Sequence, residues 1–332
     1  MKNKMSRNTR IYSSLIIIII VLITITGIIK PGTFDPYHLL EIVKQSVPLG
    51  ITSIGQSAVI LSGGIDLSVG EIITMTNILA ADLISSQSIR TIPVVIFLLF
   101  LGAFIGSLNG YLISKTKIPP MVMTFAMASI VRGGYLLYSG GAPKGRVSDI
   151  IRFIGSKRIG IIPASLIVYL IIIAFVIYFF QKNKLGRSIY YIGNNEKAAL
   201  YSGVPVNKRI IMIYAFSAVM AVISGLILSG YIGVGNFDIG SGYDLNSIAS
   251  SVVGGNTFNG VGNIAGSAFG ALIMTVLSSV LTSLGIAETG KLIMRGLIII
   301  VMVTLYTNKG FKFSSIVSKF KKDDQNEAPE IG

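Results

Sequence analysis

Four stretches of this chain, residues 15–29, 92–108, 161–180 and 210–228, contain no Asp, Glu, Lys or Arg. A hydrocarbon core of roughly 30 Å needs about 20 helical residues to cross it. Stretches of this kind decide the solvent before anything else is known. The chain reads as an all-α polytopic membrane protein. Its composition agrees: 52% of the 332 residues are hydrophobic and 13% are charged, against about 25% charged in a typical soluble domain. No polar stretch is long enough to fold as a domain of its own.

About ten membrane segments are expected, near 11–29, 45–61, 70–87, 92–114, 120–138, 161–181, 210–231, 244–256, 263–285 and 291–307. Residues 11–307 then form a single transmembrane domain between a cytoplasmic start, 1–10, and a cytoplasmic tail, 308–332. The basic start and apolar core of residues 1–30 resemble a signal peptide. The core is long and no small-residue cleavage pattern follows it, so an uncleaved first span is expected. This topology puts 17 Lys and Arg inside and 8 outside, the bias that cytoplasmic loops normally carry. It also explains the formal charge of +14 without nucleic acid. The outer loop 139–160 runs against the bias with five basic residues.

Chemistry is constrained by absence. There is no cysteine, and His38 is the only histidine. Disulfides, thiolate metal sites, His-based triads and multi-histidine metal sites are therefore excluded. His38 reads as an ordinary polar side chain near the outer surface. No G-x-x-x-x-G-K-[S/T] occurs, since Thr289-Gly290-Lys291 runs into Leu292, and no G-x-G-x-x-G sits in a strand–turn–helix context. Any ATP that drives this protein is hydrolysed by another subunit.

Two places interrupt the helical pattern. One is SGGIDLSVG, 62–70. The other is 225–270, with 12 of the 37 glycines. Broken helices survive in a membrane only when buried in protein or lining a cavity. A pair of Gly-interrupted segments in the two halves points to a transport site. For 62–70, cavity lining is expected, because an acid sits in the break. For 260–270, close helix packing through small residues is expected. The acid, Asp66, is read first as a cap for the following helix, together with Ser68, and second as a substrate contact. Arg132 and Arg295, each followed by Gly, are the intramembrane cations, pairing with an acid, with helix-end carbonyls or with headgroups. Pro119 and Pro120 should set the entry of a span, and Asn109 and Gly110 should pack and cap the span before it.

The hydrophilic stretch 182–209 carries six basic residues and one acid, Glu196. Asn194, Asn195 and Glu196 make a helix start, 197–202 can form one or two turns, and Gly203 and Pro205 stop them. A short exposed helix has little of its own to bury, so a partner protein is expected on it.

These segments together resemble the permease subunits of bacterial ABC importers for ribose and related monosaccharides. The likeness runs in order through LSGGIDLSVG (61–70), LNGYLISKTKIPPMVMT (108–124), Arg132-Gly133, LGRSIYYIGNNEKAALYSGVPVNK (185–208) and GSGYDLNSIASSVVGGNTFNGVGNIAGSAFGALI (240–273). It implies a ten-helix fold of the vitamin-B12-importer type in the bacterial inner membrane. It also implies a second permease copy, cytoplasmic ATPase subunits and an extracytoplasmic sugar-binding protein. ATP and Mg would be held by the ATPase, with no cofactor in this chain and lipid around it. Gly193, Asn194, Asn195, Glu196, Ala198, Ala199, Ser202 and Gly203 match the segment that docks into the ATPase, with Lys197 among them. Ser62, Gly63, Gly64, Asp66 and Ser68 in the first half, and Gly254, Gly255, Asn256 and Thr257 in the second, are the candidate translocation path. The Asn194-Asn195 pair and Pro120 depart from the usual pattern, which bears on partner fit. Ribose is the reference solute of the family. An ion-coupled secondary transporter would instead rely on Asp66, Glu71 and Asp82. An intramembrane enzyme is disfavoured by the lack of clustered carboxylates.

Overall fold

The computed structural model describes residues 7–29, 34–116 and 118–307. The charged tail, 308–332, lies outside the described residues. Each of the ten expected segments falls on a helix. These are α1 Arg7–Ile29, α2 Pro36–Leu61, α3 Val69–Ile84, α4 Thr91–Thr116, α5 Pro120–Ser139, α7 Ala164–Lys182, α10 Val206–Ile232, α11 Tyr243–Val253, α12 Gly266–Ser283 and α13 Glu288–Thr307. Three short helices add to them: α6 Asp149–Ser156, α8 Lys184–Asn194 and α9 Glu196–Tyr201. A two-residue hairpin pairs β1 Arg158–Ile159 with β2 Ile162–Pro163.

The helices are not equivalent in reach. Among the described residues, four are long and apolar enough to cross a membrane: 88–116 with its 3₁₀ entry, α5, α10 and α12. The 11 residues of α11 rise only about 16 Å, half of a hydrocarbon core. A helix this short at membrane depth needs protein around it, and α11 has it: residues 247–253 are buried between α2 and α12.

The bundle is organised around α10, which packs against α2, α3 and α4. The α4 contact is a glycine seam. Gly102, Gly106 and Gly110 recur at every fourth residue and so share one face of α4. A Cβ on any of them would strike α10, at Val222, at the Tyr214 carbonyl and at Ile211 respectively. Small residues let membrane helices approach closely enough for dispersion contacts to hold them. The same device joins α11 to α12, where Gly254 meets Gly266 and Gly270 meets the Ser250 carbonyl. Close packing is thus the role of the 260–270 glycines at this crossing. Apolar side chains fill the remaining space in two main clusters, one among α3, α4, α5 and α10, the other among α2, α7, α8 and α10.

Candidate functional site

Both helix breaks close in the same way. After α2, Gly63 N–H donates to Ile60 O (2.9 Å) and Gly64 N–H to Val59 O (3.0 Å). After α11, Gly255 N–H donates to Val252 O (2.9 Å) and Asn256 N–H to Ser251 O (3.1 Å). These are two Schellman caps, in which the residue after the C-cap takes a left-handed conformation. Gly63 and Gly255 both have φ +89°, which side chains rarely adopt. The Gly-Gly pairs of the two halves therefore serve one geometric purpose.

Beyond the first cap the chain runs without regular secondary structure to Ser68, with Asp66 fully buried within it. Its carboxylate accepts from Ser68 N–H (3.0 Å), from Ser68 Oγ (2.6 Å) and from Ser217 Oγ on α10 (2.9 Å). Asn109 Nδ2 on α4 donates to Ser68 Oγ (3.1 Å). The Gln56 amide on α2 brackets the Asp66 backbone, donating to its carbonyl (3.1 Å) and accepting from its N–H (3.2 Å). Thr124, one turn after Pro120 on α5, accepts from Leu67 N–H (3.0 Å). Five helices thus converge on the break. Ser68 is the N-cap residue of α3 and makes no side-chain cap bond, so the expected cap by the pair is not formed. Asp66 instead binds the Ser68 N–H and hydroxyl just before the helix and joins this segment to α10.

The second break has a smaller network. Asn256 Nδ2 donates to Ser57 Oγ on α2 (3.0 Å), and Ser57 Oγ donates to Ser251 Oγ on α11 (3.0 Å). Thr257 N–H and Oγ1 both bond to Val261 O (2.9 Å each), closing the loop that follows. Of the path candidates, Gly64, Asp66, Ser68, Gly254, Gly255 and Asn256 are buried, Ser62 and Thr257 are partly buried, and Gly63 is exposed.

A large cavity lies elsewhere, at the other end of α2. It holds about 690 Å³ and is lined by His38, Lys44, Gln45, Asn246, Arg295 and a hydroxyl row on α12, among others. On α2 it reaches Leu49, and every residue from 46 to 61 is buried. The first break is 12 residues further on, about 18 Å along the helix axis. Arg295 meets Glu288 (3.0 Å) at the cavity wall, and Arg132, largely exposed, lies 4.0 Å from Glu71. Glu71 also accepts from Tyr135 Oη (2.7 Å), and Asp82 from Tyr138 Oη (2.6 Å).

The coupling candidate is two helices, not one. α9 begins where Asn195 Oδ1 accepts from Ala198 N–H (3.0 Å), a standard N-cap. It ends in a third Schellman cap, with Gly203 at φ +81° donating to Leu200 O (3.0 Å). The helix start at Asn195 and the stop at Gly203 match the sequence expectation. The sequence reading did not anticipate α8. Ser188, Ile189 and Ile192 bury its inner face, and its end is wedged between the two breaks. A Cβ on Gly193 would strike the Leu61 carbonyl, and one on Gly260 would strike the Tyr190 carbonyl. Leu61 closes α2 and Gly260 lies in the loop after α11, so one short helix touches both interrupted elements.

Ala199 tucks inward against Ile192 and Val206. Glu196, Lys197, Ala198 and Ser202 face out. So do Tyr191, Leu200 and Tyr201, the last 88% exposed. Exposed apolar groups on a polar segment mark an interaction surface, and these three were missed. The signal was present: Tyr191, Leu200 and Tyr201 lie inside a strongly basic stretch. Asn195→Ala should cost α9 about 1 kcal/mol. Amide exchange at 198–201 should then speed up while α10 keeps its protection.

Residues 38–303 match the family described as branched-chain amino acid transport system / permease component. The chain is 32% identical over 294 residues to the ribose import permease protein of Haemophilus influenzae, covering 86% of this chain and 90% of that one. It is 33% identical over 308 residues to the galactose/methyl galactoside import permease protein of Escherichia coli K12, covering 87% and 92%. It is 31% identical over 301 residues to the fructose import permease protein of Rhizobium meliloti, covering 88% and 83%. No solved structure matches the chain.

Proposed function

The chain belongs to the branched-chain amino acid transport system / permease component family, and from that premise we propose that it is the membrane permease of an ATP-driven sugar importer. The family description names amino acids, but the relatives that match along nearly the full length are import permeases for ribose, galactose and fructose. A monosaccharide is the solute class that fits, with ribose first. The protein is a transport component and not an enzyme. Its energy comes from separate ATPase subunits that bind ATP and Mg, and its solute from an extracytoplasmic sugar-binding protein.

The single observation that carries the mechanism is the position of α8. An ATPase engaging Glu196, Lys197, Ala198 and the apolar side chains beside them would push on α9. That push passes through Gly193 to the end of α2 and through Tyr190 to the loop after α11. Both breaks then move together, and the polar residues held in them, Ser62, Ser68, Asn256 and Thr257, become the path. We further propose ten crossings in the vitamin-B12-importer arrangement, both termini cytoplasmic, residues 11–307 as one permease domain, and assembly as a homodimer. Ion coupling is the weaker reading, because Asp66, Glu71 and Asp82 are each engaged by hydroxyl donors.

Reversing the outward Glu196 to Lys and placing Leu at the outward Ala198 tests the docking assignment. ATPase co-purification should be lost and uptake should fall at least about tenfold, the effect of losing roughly 1.4 kcal/mol of a contact. Normal assembly and uptake would remove α9 from the coupling role.

A further inference from the structure

A narrow, almost wholly apolar slot of about 180 Å³ opens where α7, α8 and α10 meet. Phe179 and Phe180 of α7, Ile189 of α8, and Met212 and Phe216 of α10 form its walls, and Arg209 is its one charged lining residue. The phenyl rings are layered, Phe179 edge-on to Phe180 at 5.6 Å and Phe180 tilted against Phe216 at 5.7 Å. Arg209 Nε is buried there with no hydrogen-bond partner. Its Nη1 meets only the soft sulfur of Met212, at 3.9 Å. A second cavity of about 330 Å³, which also touches Phe180, is lined by Arg187 and Tyr190, among others.

An unpaired buried donor costs free energy, and an open apolar slot forgoes dispersion contacts. One ligand removes both costs. It must offer a hydrocarbon chain for the slot and an anionic oxygen for the guanidinium. Charge complementarity selects the anion. Lys182, Lys184, Arg187, Lys208 and Arg209 all stand at these helix ends, and Glu196 is the only acid between 182 and 209. Basic pockets between membrane helices on the cytoplasmic side hold anionic headgroups, and arginine suits phosphate by its planar pair of donors.

We propose that this slot binds one acyl chain of an anionic glycerophospholipid, whose phosphate is held by Arg209 with Arg187 and Lys208 adding attraction. The site rests on the cytoplasmic orientation proposed above, but not on the solute carried. It places a lipid against Ile189, on the helix whose last turn braces both breaks. The bound lipid therefore stiffens the element that relays ATPase motion.

The test uses the purified full-length permease in neutral detergent, without nucleotide or binding protein, so its outcome is separate from the transport assignment. Native mass spectrometry compares phosphatidylglycerol with phosphatidylcholine of the same chains. The parent should retain phosphatidylglycerol preferentially. Arg209→Gln should cut that preference about fivefold, the worth of one basic residue at an anionic surface, and Arg209→Lys should restore most of it. Met212→Trp, which fills the slot, should remove the tightest-bound lipid of either headgroup. Lys144→Gln, beside Gly235 at the far end of α10 from the slot, should leave lipid retention unchanged. A phosphatidylglycerol with a photoreactive acyl chain should label α7 and α10 around Phe179 and Met212. Equal retention of the two lipids by the parent, or labelling confined to other helices, would overturn the proposal.

Discussion

Gly106→Leu should leave no monodisperse permease after detergent extraction, whereas Gly133→Leu should purify like the parent. Both glycines lie inside helices, so helix propensity changes alike at the two sites. They differ in what a side chain meets. At Gly106 the first carbon already collides with the Tyr214 carbonyl and with Ala215 and Ala218 of α10. At Gly133 nothing lies within 4 Å in the subunit. Overpacking a core by flexible side chains costs about 1–3 kcal/mol. Here the obstacle is backbone, so the two helices must separate, and separating them at Gly106 also opens the contacts at Gly102 and Gly110. The α4–α10 seam is the centre of the bundle, and a loss of that extent exceeds the 5–15 kcal/mol margin on which folded proteins subsist once neighbouring layers follow. Size-exclusion profiles of the two variants decide the matter. A well-behaved Gly106→Leu protein would show that the seam is looser than described.

Asp66→Leu is the second change of large effect. The carboxylate is the acceptor for one backbone N–H and two hydroxyls, in a place no water reaches. Each buried donor left without an acceptor costs about 1–3 kcal/mol, so the loss should be about 3 kcal/mol or more. Thermal unfolding in detergent should shift down by several degrees, in keeping with a 332-residue chain. Asp66→Asn separates charge from hydrogen bonding. Its remaining oxygen still accepts from Ser68, but its amide faces the Ser217 hydroxyl, which must turn to accept. It should lose less than half as much stability. Equal losses for Asn and Leu would mean that the negative charge, and not the acceptor geometry, is what the break requires.

The sequence was legible where the physics is local. The expected apolar segments fall on helices because burial of backbone polar groups leaves an apolar segment few other choices. Asn195 and Gly203 delimited α9 because an N-cap and a left-handed stop are written in single residues. Asp66 was readable as a local partner of Ser68, two residues away, although the pair does not cap α3. Its other partner, Ser217, is 151 residues distant, and nothing in either neighbourhood announces the pairing. The short α8 escaped for a related reason. Its charges and its two glycines make it look like a loop, while its stability comes from Leu61, Gly260 and the α7 backbone, which it meets only after folding. The short α6 was hidden in the loop 139–160 in the same way. Gly155 fits there against Gly230 of α10, a contact that spacing does not reveal. The large cavity was also beyond reach, since it gathers α2, α10, α12 and α13 from 250 residues of chain.

The division of α9 into an inward alanine and an outward ring of side chains bears on how motors and permeases could be mixed. Gly193, Ile192 and Ala199 answer to the permease itself, and their identities are set by space. Tyr191, Lys197, Leu200 and Tyr201 are exposed on this subunit. Recoding these four positions together with the matching surface of an ATPase would create an insulated pair. Two such importers could then share a cell without borrowing each other's engine.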